Sequence, residues 1–145
     1  MEKFKYSFDD KRYHTWNYHL KNKFNEKIFK VALDAGFDCP NRDGTVAYGG
    51  CTFCSVAGSG DFAGNRVDPI PVQFEKIRSE MQSKKWKNGR YIAYFQSFTN
   101  THAPLEILKE KFEAALEIEG VIGLSIGTRP DCLPDDVVKY LSELN

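Results

Sequence analysis

Apolar and polar positions along this chain follow two alternating periods. Residues 27–35, KIFKVALDA, are a short run of β-branched and aromatic side chains that stops at Gly36, which predicts a buried strand. Residues 72–86 place Phe74, Ile77 and Met81 at helical spacing and leave Glu75, Lys76, Arg78 and Lys84 for solvent, which predicts an amphipathic helix. Residues 91–95, YIAYF, predict a second strand. Pro104 then opens a helix with Leu105, Leu108, Phe112, Ala115 and Leu116 as its apolar stripe, ended by Gly120. Residues 121–126, VIGLSI, predict a third strand. A turn through Arg129, Pro130 and Asp131 leads to a last helix opening near Pro134 and Asp135.

Strand and helix thus alternate three times, the pattern of an α/β fold with parallel strands joined by right-handed crossovers. In such folds the chemistry sits on loops leaving the C-terminal ends of the strands. The three segments richest in unusual residues fall there: residues 37–68, 96–102 and 127–132. The first is long, glycine-rich and free of helical periodicity, a kind of loop that is either functional or disordered, and its three cysteines favour function. Three strands alone leave an open parallel sheet with bare edges. The pattern therefore predicts part of a larger barrel, or a subunit whose edge something else covers.

Composition adds limits. The 145 residues, 41% hydrophobic and 14% aromatic, suffice for one core. Twenty basic residues balance twenty acidic ones, so overall charge makes no case for nucleic acid or membrane. Locally, residues 1–30 hold eight basic residues against Glu2, Asp9, Asp10 and Glu26, interleaved with Tyr6, Phe8, Tyr13, Trp16, Tyr18 and Phe24. Residues 1–26 read as a basic aromatic arm, in the first place a solvated, partly packed extension and alternatively a surface for base stacking with phosphate contact; residues 27–145 form the core. No apolar run has the length of a signal peptide or a membrane span, which predicts a cytoplasmic protein. In a reducing compartment its four cysteines suit metal ligation or thiol chemistry better than disulfides.

Their spacing is specific. Cys39 and Cys51 are separated by eleven residues, and Cys51-Thr52-Phe53-Cys54 is a CxxC pair, which brings two thiolates to one metal or cluster while a third on the same loop folds back. Spacing alone admits two readings: a four-thiolate zinc site that adds Cys132, or a 4Fe-4S cluster held by Cys39, Cys51 and Cys54 with one iron left open. No Gly-Lys-Ser or Gly-Lys-Thr and no helix-opening GxGxxG is present, so the glycines serve tight turns and close backbone approach rather than a phosphate cradle. His14 and His19 lack the i, i+4 spacing of a helical metal pair.

The stretch Cys39-Pro40-Asn41-Arg42-Asp43-Gly44-Thr45, followed by Gly49-Gly50-Cys51-Thr52-Phe53-Cys54, resembles the cluster loop of a bacterial radical S-adenosylmethionine (SAM) family related to the catalytic subunit of Elongator. Tyr94-Phe95-Gln96-Ser97-Phe98-Thr99-Asn100-Thr101 and Gly127-Thr128-Arg129-Pro130-Asp131-Cys132 resemble the same family at the following strand ends. The resemblance implies a partial barrel of about six βα units, of which this chain supplies three. It implies that Cys39, Cys51 and Cys54 ligate a 4Fe-4S cluster whose open iron binds SAM, and that one electron cleaves SAM to a 5'-deoxyadenosyl radical. By the same resemblance Phe53 lies near the adenine, Gln96 meets the amino group, and Thr128 with Arg129 meets the carboxylate. Two departures stand out: many radical SAM enzymes have three residues in the first cysteine gap, and the second strand here lacks a Gly-Gly-Glu triplet.

The implied cofactors are the cluster and SAM, and the implied partners are a low-potential electron donor and the C-terminal half of the barrel. The implied substrate is tRNA, modified at a wobble uridine; oxidation of a small metabolite and a non-catalytic, zinc-stabilised RNA-binding module are the alternatives. Cys132 is a substrate-facing candidate or a small buried hydrophobe. His102 reads as a turn or surface residue, and Lys84-Lys85-Trp86-Lys87 as a solvated helix end.

Overall fold

The structure is a computed structural model that describes residues 11–84 and 88–145. Residues 1–10 of the basic arm and residues 85–87 of the Lys-Trp-Lys segment lie outside the described residues. The elements run α1 (Trp16–Phe24), β1 (Ile28–Leu33), α2 (Ile70–Lys84), β2 (Arg90–Phe95), α3 (Leu105–Leu116), β3 (Val121–Ile126), a 3-10 turn (Pro130–Cys132) and α4 (Asp135–Leu144). The strands form one parallel sheet in the order β1-β2-β3, with Val31 opposite Ala93 and Ala93 opposite Leu124. This is a small α/β fold. The predicted strand and helix order holds, while α1 is an element the hydrophobic pattern did not give.

One sheet face is covered by α2, α3 and α4. Alternate residues Phe29, Val31 and Leu33 of β1 and Tyr91, Ala93 and Phe95 of β2 meet Phe74, Leu108, Phe112 and Val137 in a single buried cluster. Phe95 and Phe112 pack with ring centroids 5.1 Å apart, and Phe74 meets Tyr91 edge-on at 5.4 Å. The stripe read from sequence, Phe74 and Met81 with Ile77 partly buried, is the face that α2 buries.

Among the described residues, α1 is the helix that packs on the opposite face. Leu20 of α1 is buried with Ile28 and Ile92, and Phe24 and Ile122 complete that second cluster. Both ends of α1 are capped: the Thr15 hydroxyl accepts the Tyr18 amide at 3.0 Å, and Asn25 takes the left-handed conformation, φ 55°, with its amide on the Lys21 carbonyl. Its hydrophobic stripe is too short to dominate the sequence pattern. Part of the expected arm is therefore a packed helix.

No helix among the described residues is long and apolar enough to cross a membrane.

Candidate functional site

Every βα loop departs from the same edge of the sheet, so the segments after β1, β2 and β3 converge there. The loop after β1 is long, yet its neck is closed. Gln73, 1% exposed on α2, accepts the Asp34 amide at 3.0 Å and donates to the carbonyls of Asp34 and Asp68 at 2.8 and 2.9 Å. Both ends of the loop thus hang on one side chain.

Within the loop, Cys39 heads a turn in which its carbonyl accepts the amides of Arg42 and Asp43. The Cys54 amide bonds the Cys51 carbonyl at 3.0 Å, closing the CxxC turn. Each of the three sulfurs has a polar side-chain partner. Thr99 Oγ1 lies 3.3 Å from Cys39 Sγ, a guanidinium nitrogen of Arg129 3.8 Å from the same atom, Asn41 Nδ2 3.2 Å from Cys51 Sγ, and the Ser59 hydroxyl 3.6 Å from Cys54 Sγ. Cys39 is thereby tied to the loop after β2 through Thr99 and to the loop after β3 through Arg129.

These contacts set the electrostatics. Burial pushes the Cys39 thiol up, but hydrogen bonds from Thr99, the Asn41 backbone and Arg129, with the positive charge of Arg129, more than reverse it, so the pKa is lowered. Arg129 is gripped by both carboxylate oxygens of Asp131, at 2.9 and 2.6 Å, which together with Cys39 raises its pKa and holds Asp131 below the usual carboxylate range. Burial, and then the charge of Asp131, raises the pKa of Cys132. Cys132 is buried at the end of the 3-10 turn, with its sulfur 3.9 Å from Asp131 Oδ1.

Of the sequence candidates, the structure brings Cys39 together with Arg129. Thr128 bonds Thr101 across the loops at 2.5 Å, and Thr101 also bonds the Cys132 carbonyl. Gln96 is half-buried at the end of β2. Phe53 is 87% exposed at the tip of the CxxC turn. Sequence reasoning passed over Thr99, Asn41 and Ser59, the groups facing the sulfurs, and the pair formed by Asp43 and His102. The His102 Nε2 lies 2.6 Å from Asp43 Oδ2, while Asp43 Oδ1 accepts the amide and hydroxyl of Thr45. Asp43-Gly44-Thr45 carries the local signal for such a turn, since an Asp side chain bonds the backbone two residues on; its link to His102, fifty-nine positions away, has no local signal. His102 and Thr45 line a cleft of about 560 Å³ with Val46, Asp131 and Cys132.

The donor types are those that take either a zinc ion or an iron-sulfur group. Three cysteine sulfurs with N–H and O–H groups facing them are soft ligands in the hydrogen-bonded setting such clusters use. Among the described residues no three His, Cys, Asp or Glu side chains stand close enough to one point to hold a metal ion as arranged. Behind the cysteines, Ser97 Oγ and Asn100 Oδ1 are buried without a hydrogen-bond partner among the described residues, although Asn100 Nδ2 bonds the carbonyls of Phe95 and Gly127.

No protein-family model matches the chain, and no solved structure matches it. The chain is 69% identical over 142 residues to "Uncharacterized protein YtqA" of Bacillus subtilis strain 168, covering 98% of this chain and 44% of that protein. It is 40% identical over 124 residues to "Protein YhcC" of Escherichia coli K12, covering 86% of this chain and 38% of that one. It is 40% identical over 126 residues to "Uncharacterized protein MJ0486" of Methanocaldococcus jannaschii, again covering 86% of this chain and 38% of the relative. The chain spans less than half the length of these relatives.

Proposed function

We propose that this chain is the cluster-binding part of a radical SAM enzyme, the N-terminal half of a partial (β/α)6 barrel, and that the whole protein modifies a wobble uridine of tRNA. The observation that carries the reading is the setting of Cys39: a thiol on the loop after β1 that accepts from Thr99 after β2 and from Arg129 after β3, so that three strand ends meet at one sulfur. The resemblance of all three segments to the Elongator-related family supports it. The substrate rests on that resemblance and on the aromatic and basic residues near the N-terminus, where Trp16 stacks on His19 at 5.3 Å beside Lys23.

In this reading Cys39, Cys51 and Cys54 hold a 4Fe-4S cluster, and Phe53, Gln96, Thr128 and Arg129 face SAM. When bound, the cluster supplies one electron for the reductive cleavage of SAM. The chain's own residues prepare that site. Arg129 keeps a positive charge beside Cys39 and favours its thiolate, which is the form that ligates. Asp131 fixes the plane of the guanidinium, so the Arg129 contribution is positional as well as electrostatic. Asn41 and Ser59 face the other two sulfurs, where donors to ligating sulfur tune a cluster's potential.

Anaerobic reconstitution with iron and sulfide tests the reading. A brown chromophore, about four irons per chain and release of 5'-deoxyadenosine from SAM by the full-length protein are expected. Stoichiometric zinc in anaerobically purified protein, with no iron uptake by intact thiols, would replace the reading with a zinc module. Mass spectrometry of tRNA nucleosides from a deletion strain tests the substrate: a changed wobble nucleoside is expected, and an unchanged profile points to a small metabolite.

A further inference from the structure

We propose that Phe98 is a positioning residue for the cysteine loop, its ring setting the separation between Cys39 and the Cys51–Cys54 turn. The proposal rests on the cluster reading above, but its geometry does not.

Phe98 follows β2, outside the cysteine loop, and is one of three non-glycine residues with positive φ among the described residues, at 62°. A phenylalanine is held in that left-handed region only where its surroundings over-determine it. Here they do. The guanidinium carbons of Arg42 and Arg66 lie 5.2 and 5.1 Å from the ring centroid. The Phe98 amide donates to the Gly58 carbonyl at 2.9 Å, and a Cβ placed on Gly58 would stand 2.6 Å from the ring, so the ring rests directly on loop backbone.

The two arginines reach opposite sides of the cysteine set. Arg66 donates to the carbonyl of Phe37, two residues before Cys39, and lies 3.9 Å from Asp34. Arg42, three residues after Cys39, donates to the carbonyls of Ser55 and Val56, directly after Cys54, at 2.5 and 3.1 Å. Arg42 also packs on Gly50, where an added Cβ would stand 2.9 Å from its Nε. The segment before Cys39 and the segment after Cys54 are thus drawn to one aromatic ring. The next residue, Thr99, donates its amide to the Asp38 carbonyl and its hydroxyl to the Cys39 sulfur. Two adjacent residues of the β2 loop therefore register both cysteine segments against the sheet.

Three variants separate ring, strain and fold. Phe98→Leu keeps apolar volume and removes the π-face, Phe98→Tyr keeps the face, and Phe98→Gly removes the ring while accepting positive φ without strain. Two readouts are used on the full chain: the alkylation rate of each cysteine by iodoacetamide in metal-free protein, resolved by mass spectrometry, and the affinity for ferrous iron during anaerobic reconstitution. The Leu and Gly variants are expected to keep cooperative melting, to alkylate Cys51 and Cys54 several-fold faster relative to buried Cys132, and to bind iron about 10-fold more weakly, the scale found for partners that orient metal ligands. The Tyr variant is expected to match wild type.

Wild-type alkylation and iron binding in both the Leu and Gly variants would overturn the proposal. So would loss of cooperative melting in both, because the ring would then support the whole fold rather than the loop. If wild type itself takes up no iron, the cluster reading fails, while the alkylation rates still decide what Phe98 does.

Discussion

The side-chain amide of Gln73 pairs with the main chain of Asp34 as a neighbouring strand would, accepting its N–H and donating to its C=O. It also donates to Asp68, so a residue on the inner face of α2 closes the neck of the cysteine loop. An added Cβ on Gly64 would stand 2.3 Å from Gln73 Oε1, so the loop backbone also presses on this side chain. Replacing Gln73, itself 1% exposed, by Leu strands three part-buried backbone groups. At roughly 1 kcal/mol for each buried polar group left without a partner, a loss of about 3 kcal/mol is expected in urea denaturation. An unchanged midpoint would mean that the neck is held elsewhere.

The Asp43 carboxyl should titrate far below its usual range. The hydroxyl of Thr45, then its amide, then His102 bond the carboxylate, and together they bring its pKa to about 2. A depressed folded pKa means that the stabilisation is complete above the ordinary aspartate value and is lost as pH falls through the folded one. Carbon-13 NMR of the Asp43 carboxyl should give a midpoint near 2. Thr45→Val should raise it toward the ordinary value, since the Thr45 hydroxyl is the largest single influence, and an unchanged midpoint would leave that hydroxyl without a part in it.

Tyr140 shifts the other way. Its ring is buried between α4 and α3, its hydroxyl lies 3.4 Å from Glu113, and burial followed by that negative charge pushes its pKa up to about 12. A raised folded value means that the contribution to stability is whole below the ordinary tyrosine pKa and disappears as pH rises from there through about 12. Ultraviolet titration should show one tyrosinate appearing last. Glu113→Gln should bring that step down in pH, and an unaltered step would leave burial as the sole cause.

How far the sequence reveals this molecule follows from which interactions are local. β3 was legible to the residue, because VIGLSI between Gly120 and Gly127 has both the composition and the stops of a strand. The α2 stripe was legible for the same reason, although the helix starts at Ile70 and ends at Lys84. The CxxC turn and its loop were marked by cysteine spacing. What could not be read was long-range and polar: Thr99 and Arg129 meet Cys39 across sixty and ninety positions, and Gln73 reaches thirty-nine positions back to Asp34. A hydrogen-bond partner leaves no period in a sequence, whereas an apolar face does. Gln73 even looks misplaced until Asp34 and Asp68 are found around it.

α1 tests the same idea from its energetics. Its two caps are local signals, Thr15 before the first turn and Asn25 after the last, but the face between them offers one fully buried side chain, Leu20, against Ile28 and Ile92. A helix of nine residues is too short to persist on propensity alone, so it must draw its stability from docking onto the sheet. Leu20→Ala should therefore destabilise the fold by about 3 kcal/mol, toward the lower end of the range for buried leucines. Thr15→Ala should take away about 1 kcal/mol by leaving the Tyr18 amide without its acceptor. Because cap and anchor act on one helix, the double variant should lose less than the sum: once Leu20 no longer docks, the helix frays and its cap has little left to hold. Full additivity in denaturant titrations would instead show that α1 stays folded and docked without its anchor.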